Sequence, residues 1–297
     1  MVAPDRGWHD RGTPIRDRGC PDRRGMALIF VLWILVLLGL AVGELAARAR
    51  SEARMVATLK SRAVAQYAAE SGVLATTIAL RTILDSADDP VELAARTRRL
   101  DTVGRASTDL AAGGAQFAVS VIDLNARLDL ARADSATLSA LFTQFIPAER
   151  AGAVVAELRQ APVTRFAELA RVPGADDALA LAVAPYVTVW SDGFVNVNSA
   201  PEAVLAALPG IGPARARALV ARRGAGELFT SVDAFRPTSA SRGAVPVDGS
   251  VLTIAPTRLM IVSRGWQRGA PLTHEIQAVY LVLAGTLTLQ SWEERDR

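Results

Sequence analysis

The sequence predicts an α+β protein: a long N-terminal helix rooted in a membrane, an antiparallel sheet, and a large all-α domain inserted into that sheet. Three observations carry this prediction. Residues 26–43 are apolar without a single charge, and no proline occurs between Met26 and Leu84. A β-prone segment, Gln116–Ile122, stands apart from four further β-prone stretches near the C-terminus. The residues between them are patterned as short capped helices, and a strand cut off from its partners by a helical block is what an insertion leaves behind.

The helix comes first. After the apolar run, Leu45, Ala49, Val56, Leu59, Ala63, Tyr67, Leu74 and Ile78 recur at helical spacing, and Arg48, Glu52, Arg54, Lys60, Arg62, Glu70 and Arg81 fill the other face. One continuous helix over Met26–Leu84 would be about 90 Å long at 1.5 Å per residue. It crosses a membrane with its first part and packs on a domain with its second. Arg23 and Arg24 precede the span, so the N-terminus is expected in the cytoplasm and everything after Gly43 in the periplasm.

Asp85–Pro90 ends the helix, and a short polar helix is expected over Val91–Leu100. Gly113-Gly114 leads into the first strand, where Phe117, Val119 and Val121 alternate with smaller residues. From Asp129 to Phe235 the pattern is helical, with Asp134, Thr164, Ser199 and Ser231 as N-caps. Ser199-Ala-Pro-Glu202 reads as a capping box. Leu128–Ala133 and Val195–Ala200 resemble each other, and each is followed at equal spacing by two leucines: Leu138 and Leu141, then Leu205 and Leu208. Either two related helical units or the general likeness of alanine-leucine helices accounts for this. The loop after Phe235 is rich in Ser, Pro and Gly. Strands are then expected over Val251–Ile254, Arg258–Arg264, Glu275–Leu283 and Thr286–Gln290, with turns at Gly265, Gly269 and Pro271 and at Gly285. The expected parts are thus a leader (1–25), a membrane segment (26–43), the periplasmic part of the helix (44–85), the first α+β part (86–128), the insertion (129–240) and the C-terminal β part (241–297).

Composition excludes several kinds of chemistry. The only cysteine, Cys20, precedes the apolar run, and the only histidines are His9 and His274. Zinc sites and histidine-based triads are therefore nearly excluded, and no Walker loop or nucleophile–base pair is present. No catalytic residue is assigned. A net charge of +3 on 297 residues implies no general affinity for polyanions.

The most specific motif is Val204–Arg223, which resembles a helix-hairpin-helix. One helix should end at Leu208 and the next begin at Pro213. Pro209, Gly210, Ile211 and Gly212 form the turn, with Ile211 as a wedge and Phe229, Val232 and Phe235 as a cover. Such a hairpin can bind a nucleic-acid phosphate on its glycine amides, with Arg215, Arg217, Arg222 and Arg223 adding charge. It can equally serve as a packing unit, with those arginines on solvated helix faces. Four arginines do not make a wide basic field, and nucleic acid is not the expected partner.

Arg23-Arg24-Gly25 before Met26 resembles the class III leader of type IV pilins and pseudopilins, because its small residue precedes the apolar core. A secretory signal places that residue after the core. A signal anchor, or a signal peptide cut near Ala46-Ala47, is the alternative. Leader, long helix, the Asn196-Val-Asn198 and Leu208-Pro-Gly-Ile-Gly212 segments and a β-rich C-terminus together resemble the general secretion pathway protein K family, a minor pseudopilin of the type II secretion system. The resemblance covers Arg24 to about Glu294.

It implies a pseudopilin fold and cleavage between Gly25 and Met26 by a prepilin peptidase. It further implies residence in the inner membrane as a single-pass protein. The implied partners are two small minor pseudopilins (I and J type), the inner-membrane secretion platform, the secretin and exoproteins. Its implied role is to nucleate and cap the filament that drives folded exoproteins through the secretin. Most pilins carry glutamate at the fifth mature position; here that position is Phe30. A carboxylate within the membrane costs about 2.5–3.5 kcal/mol, offset in other subunits by a neighbour's terminal amine. A subunit with nothing above it has no use for that glutamate. Val56, Leu59, Ala63, Tyr67, Leu74 and Ile78 form the stripe expected to meet the partners' helices.

The family is also associated with calcium in the inserted domain. Asp176, Asp177 and Asp192 are the acids there that draw attention, without the regular ligand spacing of a calcium loop. In the first repeat Asp129 and Ala131 stand where asparagines are expected. A competence-type DNA receptor and a type IV pilus minor pilin are the rival functions. Intact-mass analysis of membrane-extracted protein should find a chain beginning at Met26. A chain beginning after Ala46, or retaining Met1, refutes the pilin-type leader.

Overall fold

The computed structural model describes residues 23–85, 87, 89–98, 100, 108–110, 114–235 and 251–297. The leader up to residue 22, the Gly113 position and most of the Ser/Pro/Gly-rich loop after Phe235, including the expected 240/241 boundary, lie outside the described residues. Two compact units are present, residues 1–58 and 59–297.

Helix α1 runs from Arg23 to Leu84 without interruption. It begins upstream of Met26, with Gly25 inside it. In the first unit its large apolar side chains lie open, Phe30 at 68% and Trp33 at 60% exposure. From Met26 onward this helix is long and apolar enough to cross a membrane.

In the second unit α1 packs with alanines over residues 65–69 and with larger apolar residues toward its C-terminal end. Ala65, Ala68, Ala69, Val73, Leu80 and Leu84 are buried, while Leu59, Ala63, Tyr67, Leu74 and Ile78 face outward. The periodic residues from Leu59 to Ile78 thus lie away from the sheet. The reason is steric. A Cβ added to Gly265 would lie inside the backbone of Ala65 and Ala69, and one added to Gly72 would collide with the Ser263 hydroxyl and come within 2.9 Å of Phe117. Only small side chains permit so close an approach of helix to sheet.

After α1, a short helix α2 spans Pro90–Thr97, capped by the Asp89 carboxylate, which accepts from the Val91 N–H at 3.2 Å. The main sheet is antiparallel with order β1-β2-β7-β8-β9. Its strands are β1 (Thr108–Leu110), β2 (Ala115–Asp123), β7 (Arg258–Gln267), β8 (Thr273–Leu283) and β9 (Thr286–Asp296). β1 has no counterpart in the sequence prediction. β2 and β7 are paired neighbours from Ala115↔Gln267 to Asp123↔Leu259, although the whole segment from Leu124 to Thr257 separates them in sequence. Gly265, expected in a turn, lies within β7; its role is the close approach of α1. The strands continue past Arg264 and Gln290 because they pair with each other to their ends.

The two faces of the sheet are covered differently. Phe117, Val119, Leu259, Ile261, Ile276, Ala278, Tyr280 and Val282 form the core beneath α1. On the other face Met260, Val262 and Val279 pack with Leu124 and Trp190. That face also holds Glu275, whose buried carboxylate meets Arg264 at 2.7 Å, Arg295 and Arg297. Burial pushes this carboxyl up, but hydrogen bonds from Arg264, Arg295 and Gln277 and the Arg295 charge outweigh burial and hold it at about 2. β9 forms one edge of the sheet, with a bulge opposite Val279 and Tyr280 and a charged end, both of which hinder further strand pairing.

The insertion has its own core, built on Leu138, Leu141, Phe142, Leu158, Leu169, Leu205, Leu208 and Phe235. Its α-helices are α3 (Ser135–Phe142), α4 (Ala148–Gln160), α5 (Asp177–Val183), α6 (Glu202–Ala207) and α7 (Gly212–Gly224). It is not purely helical. β3 (Leu128–Asp129) pairs parallel with β4 (Val187–Thr188), and β5 (Val195–Asn196) pairs parallel with β6 (Leu252–Thr253). The expected strand over Val251–Ile254 therefore serves the insertion and not the main sheet.

The internal repeat has a structural counterpart. Asp129 accepts from the N–H groups of Ala131 and Arg132, and Asn196 accepts from that of Asn198. Each forms the same kind of turn between a short strand and a helix. The two differ beyond the turn: the second Asp129 oxygen accepts from the Ser191 N–H at 2.9 Å, whereas the Asn196 amide donates to Asp123.

Gly265→Val or Gly72→Val should each destabilise the protein by at least about 1–3 kcal/mol, the usual cost of overpacking. Gly39→Ala, with open space around it, should leave stability unchanged. Denaturant unfolding of the detergent-solubilised chain measures all three.

Candidate functional site

Three features compete for functional roles: the outer stripe of α1, the hairpin, and the neck that joins the insertion to the sheet. On α1, Val56 is 64% exposed, and Tyr67, Leu74 and Ile78 are 69%, 63% and 56% exposed. A soluble surface rarely leaves such large apolar side chains in one row, and rows of this kind mark places where another molecule binds.

The hairpin forms from α6 and α7. Leu208 caps α6, and Gly210 and Gly212 have φ of 77° and 68°, a region that favours glycine. Ile211 is 7% exposed and buried in the insertion core, Pro213 lies in the first turn of α7, and Phe229 packs edge-on against Phe235 at 5.0 Å. The arginines do not present a free basic face. Arg217 pairs with Glu202 at 3.4 Å, and Arg222 pairs with Glu227 and lies over the Phe229 ring. Arg215 donates to the Gly210 carbonyl. Arg223, expected on a solvated face, is partly buried and donates to the carbonyls of Val197 and Ala200 at 3.1 and 2.8 Å. It ties the end of α7 to the Asn196–Asn198 turn.

The neck is a network of side-chain amides and carboxylates that sequence reasoning missed. Asn125 is fully buried. Its Nδ2 donates to Asp192 at 2.8 Å and to the Phe194 carbonyl at 3.0 Å, and its Oδ1 accepts from the N–H groups of Thr257 and Arg258, each at 2.9 Å. One side chain thus joins the exit from β2, the entry to β7 and the insertion. Asn198 does the same further along. It donates to Phe229 and Ile254 and accepts from the Phe229 N–H at 2.9 Å. Asp123 accepts from Asn196, from the Ser199 hydroxyl and from the Asn125 N–H. Burial raises its pKa, and these hydrogen bonds oppose the shift. Ser199 therefore does not close a capping box, and α6 starts after Pro201 without a side-chain cap. Thr164 is likewise not a cap: Glu168 reaches back to the Thr164 and Arg165 N–H groups instead. Asp134 and Ser231 do accept from the amides that follow them.

The three acids considered for calcium do not form a site. Asp176 caps α5 and pairs with Arg150 at 2.6 Å, and Asp177 lies in the first turn of that helix. Asp192 belongs to the neck, where it accepts from Asn125 and Thr257. Among the described residues no group of three or more His, Cys, Asp or Glu could hold a metal ion.

Residues 195–254 match the family model described as Type II secretion system (T2SS), protein K. The match covers the second repeat, the hairpin and β6. One chain of the crystal structure of the GspK-GspI-GspJ complex from the enterotoxigenic Escherichia coli Type 2 Secretion System superposes with a TM-score of 0.50 at 13% identity. The superposition covers 79% of this chain and 99% of that one. Family segment and fold coincide: the resemblance to protein K is borne out. No curated protein matches the chain. The segment matched to the protein K family is the one that places Asn196, Asn198 and Arg223, so its motif is first of all a set of structural bonds.

Arg223→Ser should lower stability by about 1–3 kcal/mol, because it leaves two carbonyls without their charged donor. Arg217→Ser, on an exposed pair, should change stability by less than about 1 kcal/mol. Thermal unfolding of the two variants side by side checks this; equal effects would show that Arg223 carries no structural load.

Proposed function

We propose that this protein is a minor pseudopilin at the tip of a type II secretion pseudopilus. In this role it nucleates and caps the filament that drives folded exoproteins through the outer-membrane secretin. The observation that carries the reading is the outward row Val56, Leu59, Ala63, Tyr67, Leu74 and Ile78 on α1. The row suits the helices of two smaller minor pseudopilins, and GspK stands in such a complex with GspI and GspJ. Phe30 supports a terminal position, since it can neither accept a proton nor pair with an amine. The bulk of the insertion favours a single copy over a repeating subunit. In this reading the prepilin peptidase removes the leader after Gly25. The apolar part of α1 then anchors the chain in the inner membrane, the remainder lies in the periplasm, and the secretion platform assembles the filament from below. The work is assembly and not catalysis.

The competence-receptor alternative draws little support from the hairpin. Arg217 and Arg222 are paired with glutamates, which offsets two of its four positive charges, and Arg223 is turned toward the Val197 and Ala200 carbonyls.

Co-purification with the two smaller pseudopilins should yield one copy of each subunit. Tyr67→Ser, Leu74→Ser or Ile78→Ser should weaken that assembly roughly tenfold, as loss of a large anchor residue does, without lowering the melting temperature of the isolated chain. Labelled protein spaced at regular intervals along purified filaments, or better assembly with Phe30→Glu, would overturn the cap assignment.

A further inference from the structure

A cleft of about 480 Å³ opens where α2 meets the neck. Arg98 at the end of α2, Arg127 beyond the end of β2, and Arg223 near the end of α7 line it, with Asp123, Asn196 and Ser199 on one wall. The Asp123 carboxylate already accepts from Asn196, Ser199 and the Asn125 N–H. Arg98 uses one nitrogen on the Gly226 carbonyl, and Arg223 uses one on Val197 and Ala200. The Arg127 side chain makes no hydrogen bond or ion pair among the described residues. A guanidinium carries five N–H donors in a planar fork, so most of the donors around this cleft remain available. Three guanidinium groups from three separate parts of the chain thus line one cleft with a single carboxylate that is already engaged.

We propose that this cleft binds a carboxylate side chain carried on an acidic peptide segment. Guanidinium forks recognise carboxylates in a bidentate manner, and a partly desolvated arginine gains from an anion that compensates its charge. Burial lowers the Arg127 pKa, and the Asp123 charge only partly offsets this. Size selects a peptide over a small free anion, because the volume falls within the roughly 300–1,000 Å³ range of organic ligand pockets. The Asp123 charge in the wall disfavours a doubly charged ligand more than a singly charged one.

Fluorescence polarisation with the detergent-solubilised full chain tests this, using a labelled glutamate-rich peptide, its glutamine counterpart and inorganic phosphate as competitor. The glutamate peptide should bind and weaken with salt, and the glutamine peptide should not bind. Arg127→Gln should weaken binding roughly tenfold while the chain still unfolds cooperatively, since Arg127 makes no side-chain hydrogen bond among the described residues. Arg98→Gln, on an exposed side chain, should weaken it in the same direction. The proposal fails if neither peptide binds, if both bind equally, or if neither substitution changes the affinity. It also fails if phosphate binds the cleft and the glutamate peptide does not.

Discussion

The close approach of α1 to β7 is the constraint on which the rest of the second unit depends. Gly72 and Gly265 remove the two Cβ atoms that would hold helix and sheet apart, and Ala65, Ala68 and Ala69 complete the thin seam. Small residues bury little apolar area each, so the seam works through tight packing. Its consequence is that the large residues flanking the seam on the other side of the helix have no place beneath it, although Leu80 and Leu84 are buried further along. Tyr67, Leu74 and Ile78 must lie outside. The geometry that fastens α1 to the sheet is thus also the geometry that presents an apolar row to other molecules.

The insertion depends on a second constraint. It leaves the sheet after Asp123 and returns at Arg258, and both crossings are held by polar side chains. Asn125 uses its donor and its acceptor in opposite directions, binding the departing and returning strands to Asp192 and Phe194. Asn198 and Arg223 fasten the hairpin to the same region. Buried polar networks are costly when half satisfied and specifying when complete. Here the completed bonds hold a helical unit with its own core at a defined place beside the sheet.

Charge is distributed to match. In the hairpin and on the outer sheet face, arginines meet glutamates or carbonyls of the same chain: Arg222 with Glu227, and Arg264, Arg295 and Arg297 with Glu275. The chain carries 33 Lys and Arg against 30 Asp and Glu, a net charge of +3. The cleft beside α2 departs from this pattern, with Arg127 facing an Asp123 that is already hydrogen-bonded.

Much of the fold was legible in the sequence because it rests on local rules. The uncharged apolar run, the absence of proline to Leu84, and the Leu-Pro-Gly-Ile-Gly turn specify a long helix and a hairpin through backbone preference alone. The insertion was legible because β-prone and helix-prone segments differ in period. What the sequence could not decide was which face of α1 packs, since a stripe of large residues reads the same whether it meets its own domain or a partner. That choice came from Gly265, whose meaning depends on a helix far away in sequence; read locally it suggested a turn. The neck was hidden for the same reason. Asn125 and Thr257 are inconspicuous where they stand, Asp192 stood out only as an acid, and only the tertiary fold brings the three within hydrogen-bond distance.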